Sequence, residues 1–193
     1  TTLFRSSLVV LLECMSPFFI LFEGRNPMAR ELVTISVLCG ICVAGRMAFY
    51  MFPEFKPVVA LVILTGVTMG AETGFLVGAV TMLVSNIMFE QGPWTPWQMF
   101  AMGIVGLFAG ILFYKKEFGK NRIVLAIYGF FASTIIYGGI MNPAAAVMSH
   151  ASINKETIIS YYLTGIYVDI VRGIATIIFI VLLSRPIIEK IER

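Results

Sequence analysis

The stretch from residue 74 to residue 114, "GFLVGAVTMLVSNIMFEQGPWTPWQMFAMGIVGLFAGILFY", decides the fold. Two apolar runs, 74–89 and 97–114, flank the short segment "QGPWTPWQM" at 91–99, which holds both tryptophans of the chain. Each run approaches the roughly 20 residues that a helix needs to cross about 30 Å of hydrocarbon. The stretch therefore predicts two membrane helices joined by a turn at the membrane boundary.

The composition extends this prediction to the whole chain. Its 193 residues are 59% hydrophobic and 13% charged, whereas soluble domains average about 25% charged residues. We therefore predict an all-α integral membrane protein. Its seven apolar segments are 6–22, 31–52, 57–70, 74–89, 97–114, 122–148 and 157–184. No small-residue cleavage site follows segment 6–22, so we interpret it as an additional helix rather than a signal peptide.

The basic residues predict how the chain crosses the membrane. One set of loops and the tail carry nine of them: Arg25, Arg30, Lys115, Lys116, Lys120, Arg122, Arg185, Lys190 and Arg193. The opposite loops carry Arg5, Lys56 and Lys155. Because cytoplasmic loops are enriched in Lys and Arg, the first set and the C-terminus are expected in the cytoplasm. The loops at 53–56, 90–96 and 149–156 then face outward.

Aromatic and amide side chains gather around these outer loops. Tryptophan and tyrosine favour the membrane interface in any membrane protein, so an anchoring role is one interpretation. Pro93 and Pro96 restrict the backbone of the connection between the fourth and fifth segments, and a stiff loop loses little entropy when it binds a ligand. A ligand site is therefore the second interpretation, and its candidate lining residues are Tyr50, Phe52, Lys56, Asn86, Gln91, Trp94, Trp97, Gln98, Asn142, Tyr161 and Tyr162.

Three ionisable residues lie at membrane depth: Arg46, Asp169 and Arg172. Each costs on the order of 3 kcal/mol to insert, so such groups pair with one another or line a polar cavity. Asp169 and Arg172 are three residues apart and share one face of a helix. The sequence leaves open whether they form a structural ion pair or whether an arginine binds a ligand.

Small residues recur every fourth position in the second segment, at Ser36, Gly40, Ala44 and Ala48. On a helix they form one stripe that allows another backbone to approach closely. The stripe is compatible with packing inside this chain and with docking of a partner membrane protein.

Other motifs exclude functions rather than assign them. Cys14, Cys39 and Cys42 fall in apolar segments and are interpreted as packing residues, because a redox motif needs an accessible thiolate. His150 has no acidic or thiol neighbours in sequence, so no metal site is expected. No P-loop occurs, so we predict that the chain is not an enzyme and that another subunit performs any ATP hydrolysis. The triplet Asn142-Pro143-Ala144 resembles an aquaporin signature, but it occurs once and predicts a kink or break in its helix.

The chain resembles the substrate-binding (S) components of energy-coupling-factor (ECF) vitamin transporters. The resemblance lies in "ARELVTISVLCGICVAGRMAFYMFPEFKPVVALVILTGVTMGAETGFLVGAVTMLVSNIMFEQGPWTPWQMF", residues 29–100, and in the following glycines Gly103, Gly106 and Gly110. Within the family it is most similar to the cobalamin-specific branch.

This resemblance implies a division into an extra N-terminal helix and loop at 1–28 and a six-helix substrate-binding domain at 29–193. It implies no intrinsic cofactor, with cobalamin as the transported substrate. The implied partners are a membrane-embedded coupling subunit (EcfT), two ATPase subunits (EcfA and EcfA′) and the lipid bilayer of a prokaryotic cell membrane, without nucleic acid. The family's docking motif of alanines four apart corresponds to Ser36, Gly40 and Ala44, with Ala48 continuing it.

The leading hypothesis is therefore a cobalamin-binding S component that topples in the bilayer to deliver its ligand. Another vitamin is the alternative substrate. A stand-alone channel or secondary transporter, or a structural membrane subunit without a ligand, are the alternative functions.

Overall fold

The computed structural model describes residues 2–24, 27–149 and 154–191, and all of its regular elements there are helical. They are α1 (Thr2–Gly24), α2 (Ala29–Ala48), α3 (Val58–Met69), α4 (Ala71–Phe89), α5 (Thr95–Phe113), a 3-10 turn (Glu117–Lys120), α6 (Arg122–Phe131), a π-helical segment (Ala132–Tyr137), α7 (Gly138–Met148) and α8 (Lys155–Ile191). Each of the seven predicted apolar segments corresponds to a helical stretch, which confirms the all-α membrane fold.

Five helical stretches within the described residues are long and apolar enough to cross a membrane. They are Ala29–Ala48, Ala71–Phe89, Thr95–Phe113, Arg122–Met148 and Lys155–Ile191. The third predicted segment forms the short helix α3, which has 12 residues, of which those from Val58 to Val67 are all buried. Because other helices surround it, α3 serves as the centre of the bundle.

Glycines bring α3, α4 and α5 into backbone contact. A Cβ atom built on Gly74 would lie 2.5 Å from the carbonyl oxygen of Gly106, and one on Gly66 would also collide with that oxygen. Small residues permit such close approach between membrane helices. Gly70, with φ +96°, turns the chain between α3 and α4 in a conformation that favours glycine. The glycine spacing therefore fixes the three central helices.

The helix α1 packs on the outside of α4 and α5. The Phe18 ring stacks on the Phe75 ring with centroids 3.9 Å apart, and Met15 is buried beside Phe75 and Ala79. The division at residue 28 stays a prediction, but α1 is an addition to one face of the bundle rather than part of its centre.

The helix α7 runs through Pro143 instead of ending there. A proline inside a helix cannot donate to the carbonyl four residues earlier, which here is Gly139. The Tyr162 hydroxyl donates a hydrogen bond to the Gly139 oxygen at 3.0 Å, so α8 supplies the missing partner. Of the predicted kink or break, the break is therefore absent. The irregular backbone lies upstream, in the π-helical segment that ends at Tyr137.

Candidate functional site

A polar cleft opens at the end of the bundle where α2 and α4 finish and α3 and α5 begin. It encloses about 50 Å³. Its walls come from α2, the 49–57 connection, the first turn of α3, α4, α5, the π-helical segment and α8. The lining residues are Arg46, Glu54, Lys56, Val58, Val59, Met82, Gln98, Met102, Tyr137 and Arg172.

One wall is an ionic cluster centred on Arg172. Its guanidinium contacts Glu54 Oε2 at 2.7 Å through Nη2 and at 2.9 Å through Nε, and Nη1 contacts Asp169 Oδ1 at 2.7 Å. Asn142 Nδ2 donates to the other Asp169 oxygen at 2.9 Å. Arg172 and Asp169 have side-chain exposures of 11% and 10%, so this charge is compensated inside the protein.

The π-helical segment shapes the floor beneath this cluster. It ends at Tyr137, which is buried and lies under the Arg172 guanidinium, 4.6 Å from ring centroid to Cζ. The next residue, Gly138, leaves room for Asp169, since a Cβ there would lie 2.5 Å from Oδ2. Single π-turns frequently occur at functional sites. Here the turn places the Tyr137 ring against Arg172, and the space beside Gly138 accommodates the Asp169 carboxylate.

The opposite wall is a network of neutral groups around Arg46. Its Nη1 donates to Asn86 Oδ1 at 2.8 Å, to the Ser85 hydroxyl and to the Met82 sulfur at 3.7 Å. Asn86 in turn donates from Nδ2 to Gln98 Oε1 at 2.8 Å and to Thr95 Oγ1 at 3.0 Å. Thr95 and Gln98 belong to the first turn of α5, so the "QGPWTPWQM" turn holds this network in place.

Lys56 completes the rim between the two walls. Its Nζ lies 5.3 Å from the centroid of Phe89, and the Arg46 Cζ lies 4.7 Å from the same ring. Burial lowers the pKa of Lys56; Glu54 opposes this shift, while Arg46 and Arg172 reinforce it. Three cations (Arg46, Lys56 and Arg172) and two carboxylates therefore surround the cleft. This excess of positive charge favours electron-rich ligand groups.

The residues predicted to bind substrate occupy different positions around this cleft. Lys56 and Gln98 line it, and Asn86 and Asn142 lie behind the lining in the two networks. Tyr50 and Phe52 are exposed at the rim, where the Tyr50 and Phe89 rings are 5.1 Å apart. The structure does not bring the remaining candidates to the lining: Gln91, Trp94, Trp97, Tyr161 and Tyr162.

Two of these remaining residues have structural contacts instead. Gln91 is exposed and donates a hydrogen bond to the Leu83 carbonyl at 2.9 Å. Tyr162 donates to the Gly139 carbonyl, which lacks its usual helical partner because of Pro143. The Trp94 ring covers Gly92 within its own turn. The Trp97 indole nitrogen is buried without a hydrogen-bond partner among the described residues. His150 and the loop residues 150–153 lie outside the described residues.

Sequence reasoning missed Glu54, Tyr137 and Met82. Glu54 carries a signal that was available: it is a carboxylate in "FPEFKP", two residues from Lys56, next to a membrane boundary. Tyr137 and Met82 carry no such signal, because an isolated tyrosine or methionine in an apolar helix resembles a packing residue. Their placement in the cleft follows from the π-helical turn and from the register of α4.

The small-residue stripe lies away from the cleft, on the outer face of α2. Ser36, Gly40, Ala44 and Ala48 are all exposed, and a Cβ on Gly40 would have no atom within 4 Å. The same side of α2 forms one wall of an apolar groove against α8, with Leu183 and Ile187 on the other wall. The stripe is therefore a free surface in this chain rather than an internal contact.

Fold and site together define an α-helical multi-pass membrane protein with a polar cleft at one end. The family model for the S component of ECF-type riboflavin transporters matches residues 27–192, and the chain belongs to that family. The family consists of substrate-specific transporter components rather than enzymes. Its match begins after α1.

Several bacterial relatives are similar over the greater part of the chain. UPF0397 proteins of Aliivibrio fischeri strain MJ11 and Aliivibrio salmonicida are each 28% identical over 130 residues, which cover 58% of this chain and 68% of each relative. A UPF0397 protein of Vibrio atlanticus is 24% identical over 123 residues, covering 60% of this chain and 67% of the relative. No solved structure gives a significant match.

Proposed function

We propose that the chain captures a vitamin in the polar cleft and passes it to an ATP-driven coupling complex. The observation that carries the proposal is the convergence of Arg46, Glu54 and Arg172 at one end of an apolar bundle. Glu54 and Arg172 are 118 residues apart in the chain. Charged groups at membrane depth are costly and mark substrate pathways, and a family of substrate-specific components supplies the transport context.

Riboflavin is the first ligand that we propose. The family model is named for riboflavin transporters. Ligand pockets usually measure roughly 300–1,000 Å³, so the cleft of about 50 Å³ has to widen for any vitamin. A flavin requires less widening than a corrin with its side arms. Cobalamin, suggested by the resemblance of residues 29–100, is the second candidate.

Binding of the two vitamins to the purified full chain tests the ligand assignment. Quenching of flavin fluorescence should report sub-micromolar riboflavin binding, and mass spectrometry of the purified protein should find a flavin. Tight binding of cobalamin or cobinamide, without riboflavin, would replace the ligand and keep the family. Binding of neither vitamin would reject both assignments.

Orientation and transport mode are part of the same proposal. The nine-to-three distribution of basic residues supports a cytoplasmic C-terminus and an outward cleft. A secondary transporter or channel is the competing function. Liposomes that contain this chain alone should show no concentrative vitamin uptake; robust ATP-independent uptake would favour the competitor.

We further propose that the exposed stripe on α2 binds the membrane-embedded coupling subunit, which associates with two ATPase subunits. Small exposed residues allow close helix contact, and a Cβ added at Gly40 would lie in open space on this face. Gly40→Leu should abolish co-purification with the coupling subunit and leave vitamin affinity unchanged. The matched control is Val10→Phe on α1, another exposed membrane-facing position. Retained assembly of Gly40→Leu would place the contact elsewhere.

A further inference from the structure

The two arginines of the cleft differ in what neutralises them. Arg172 contacts two carboxylates, whereas the hydrogen bonds of Arg46 within the described residues all leave from Nη1 and end on neutral acceptors. Its Nε and Nη2 have no partner there, although Arg46 lines the cleft. A guanidinium presents five N–H donors in a rigid fork. Arg46 therefore makes no direct ion pair among the described residues and offers unused donors to the cleft.

Asn86 fixes the direction of that guanidinium. It is 1% exposed, its oxygen accepts from Arg46, and its nitrogen donates to both Thr95 and Gln98. These bonds use both amide hydrogens, so the oxygen has to face Arg46. The first turn of α5 thus determines the orientation of Asn86, and Asn86 determines which edge of Arg46 faces the cleft.

We propose that Arg46 is the specificity-determining residue of the cleft and binds a carbonyl or anionic oxygen of the ligand, with Asn86 as its positioning residue. This inference rests on the proposed function for its site. A vitamin that carries ring carbonyl or amide oxygens provides the required acceptor. Arg172, each of whose three nitrogens already contacts Glu54 or Asp169, stabilises the cleft and does not select the ligand.

The first experiment needs no ligand. The full chain in detergent is treated with phenylglyoxal, which modifies accessible guanidinium groups, and peptide mass spectrometry follows Arg46 and Arg172. Arg46 should react at least several-fold faster. Asn86→Asp, which puts a carboxylate against Arg46, should slow its labelling, whereas Asn86→Ala should not. Equal labelling of the two arginines, or the same change in both Asn86 variants, would overturn the inference.

The second experiment measures affinity, with riboflavin and cobalamin as probes. Arg46→Gln should weaken binding of the vitamin that the wild type binds by about 10- to 100-fold, the range for a hydrogen bond from a charged group. Arg46→Lys should recover part of the loss, Asn86→Asp should behave like Arg46→Gln, and Gln91→Ala should leave affinity unchanged. An effect of Arg46→Gln below twofold would overturn the inference. If the wild type binds neither vitamin, the ligand assignment fails and the labelling result alone decides the role of Arg46.

Discussion

Arg46 and Arg172 line the same cleft but have opposite environments. Arg172 contacts Glu54 and Asp169 at 2.7 Å each and lies over the Tyr137 ring. Arg46 contacts the neutral side chains of Asn86, Ser85 and Met82 and lies over Phe89. One arginine is part of a closed ion network, and the other is held in place without being neutralised.

The difference teaches that charge at membrane depth has two uses. A paired arginine joins elements that are distant in sequence, here α8 and the 49–57 connection. An arginine positioned by neutral groups keeps its attraction for an incoming acceptor, because its neighbours fix its geometry without cancelling its charge. Stability should therefore depend chiefly on Arg172, and ligand affinity chiefly on Arg46.

The largest expected effect is the loss of stability when Arg172 is replaced by leucine. The substitution leaves Asp169, whose side chain is 10% exposed, without its cation. Removal of one partner from a buried ion pair costs about 3–5 kcal/mol. Chemical unfolding in detergent should show a loss of this size. Arg185→Leu, at an exposed position of the same helix, is the control and should change stability by less than about 0.5 kcal/mol.

Glu54→Gln should produce a smaller loss, about 1 kcal/mol, because the Glu54 side chain is 39% exposed and solvent screens its pair with Arg172. Glu54 has φ +59°, a backbone conformation that costs a non-glycine residue energy. Glu54→Gly loses the same ion pair but relieves that backbone cost. Unfolding measurements should therefore find Glu54→Gly at least as stable as Glu54→Gln. The reverse order would show that the backbone of this connection is not under strain.

Arg46→Gln should change the free energy of unfolding by about 1 kcal/mol or less. The substitution removes a partly buried charge, which is favourable, and deprives Asn86 of one hydrogen bond, which costs about 1–3 kcal/mol if the acceptor is left unpaired. These terms oppose each other, and no carboxylate loses its cation. A loss as large as that of Arg172→Leu would contradict the distinction between the two arginines.

The sequence predicted much of the fold because membrane helices require long apolar runs. The boundaries of α4, α5 and the 122–148 stretch follow from that requirement. Helical periodicity places the small residues of α2 on one face, but their exposure is known only from the structure. The π-helical segment could not be predicted, since "ASTIIY" at 132–137 has no distinguishing composition. That segment sets the direction of Tyr137 and Gly138, and therefore the geometry of the ionic wall.

The candidate site was predictable only in part. Buried charge identified Arg46, Asp169 and Arg172, and the three-residue spacing of the last two placed them on one helix face without deciding whether they pair. Amide clustering identified Asn86 and Gln98, which share one network. The aromatic residues were less informative, because Tyr50 and Phe52 favour the membrane boundary whether or not a ligand is nearby. Pairing partners such as Glu54 depend on the three-dimensional meeting of α8 with a loop, which local sequence does not encode.

The smallest expected effect is a pH dependence that comes from Lys56, the third cation of the cleft. Burial lowers its pKa below the usual 10.5, so between the lowered value and 10.5 the unfolded chain binds more protons than the folded chain. The free energy of unfolding therefore rises with pH across that window, and the cost of charging Lys56 is complete below it. Lys56→Met, which keeps an unbranched side chain, should be more stable than wild type at pH 7, and the difference should shrink as the pH approaches 10.5. Melting temperatures in detergent at several pH values measure this. A stability difference that is constant with pH would mean that Lys56 is no more buried than a surface lysine. The cations of the cleft would then be only Arg172, which is paired with carboxylates, and Arg46, which neutral groups hold in place.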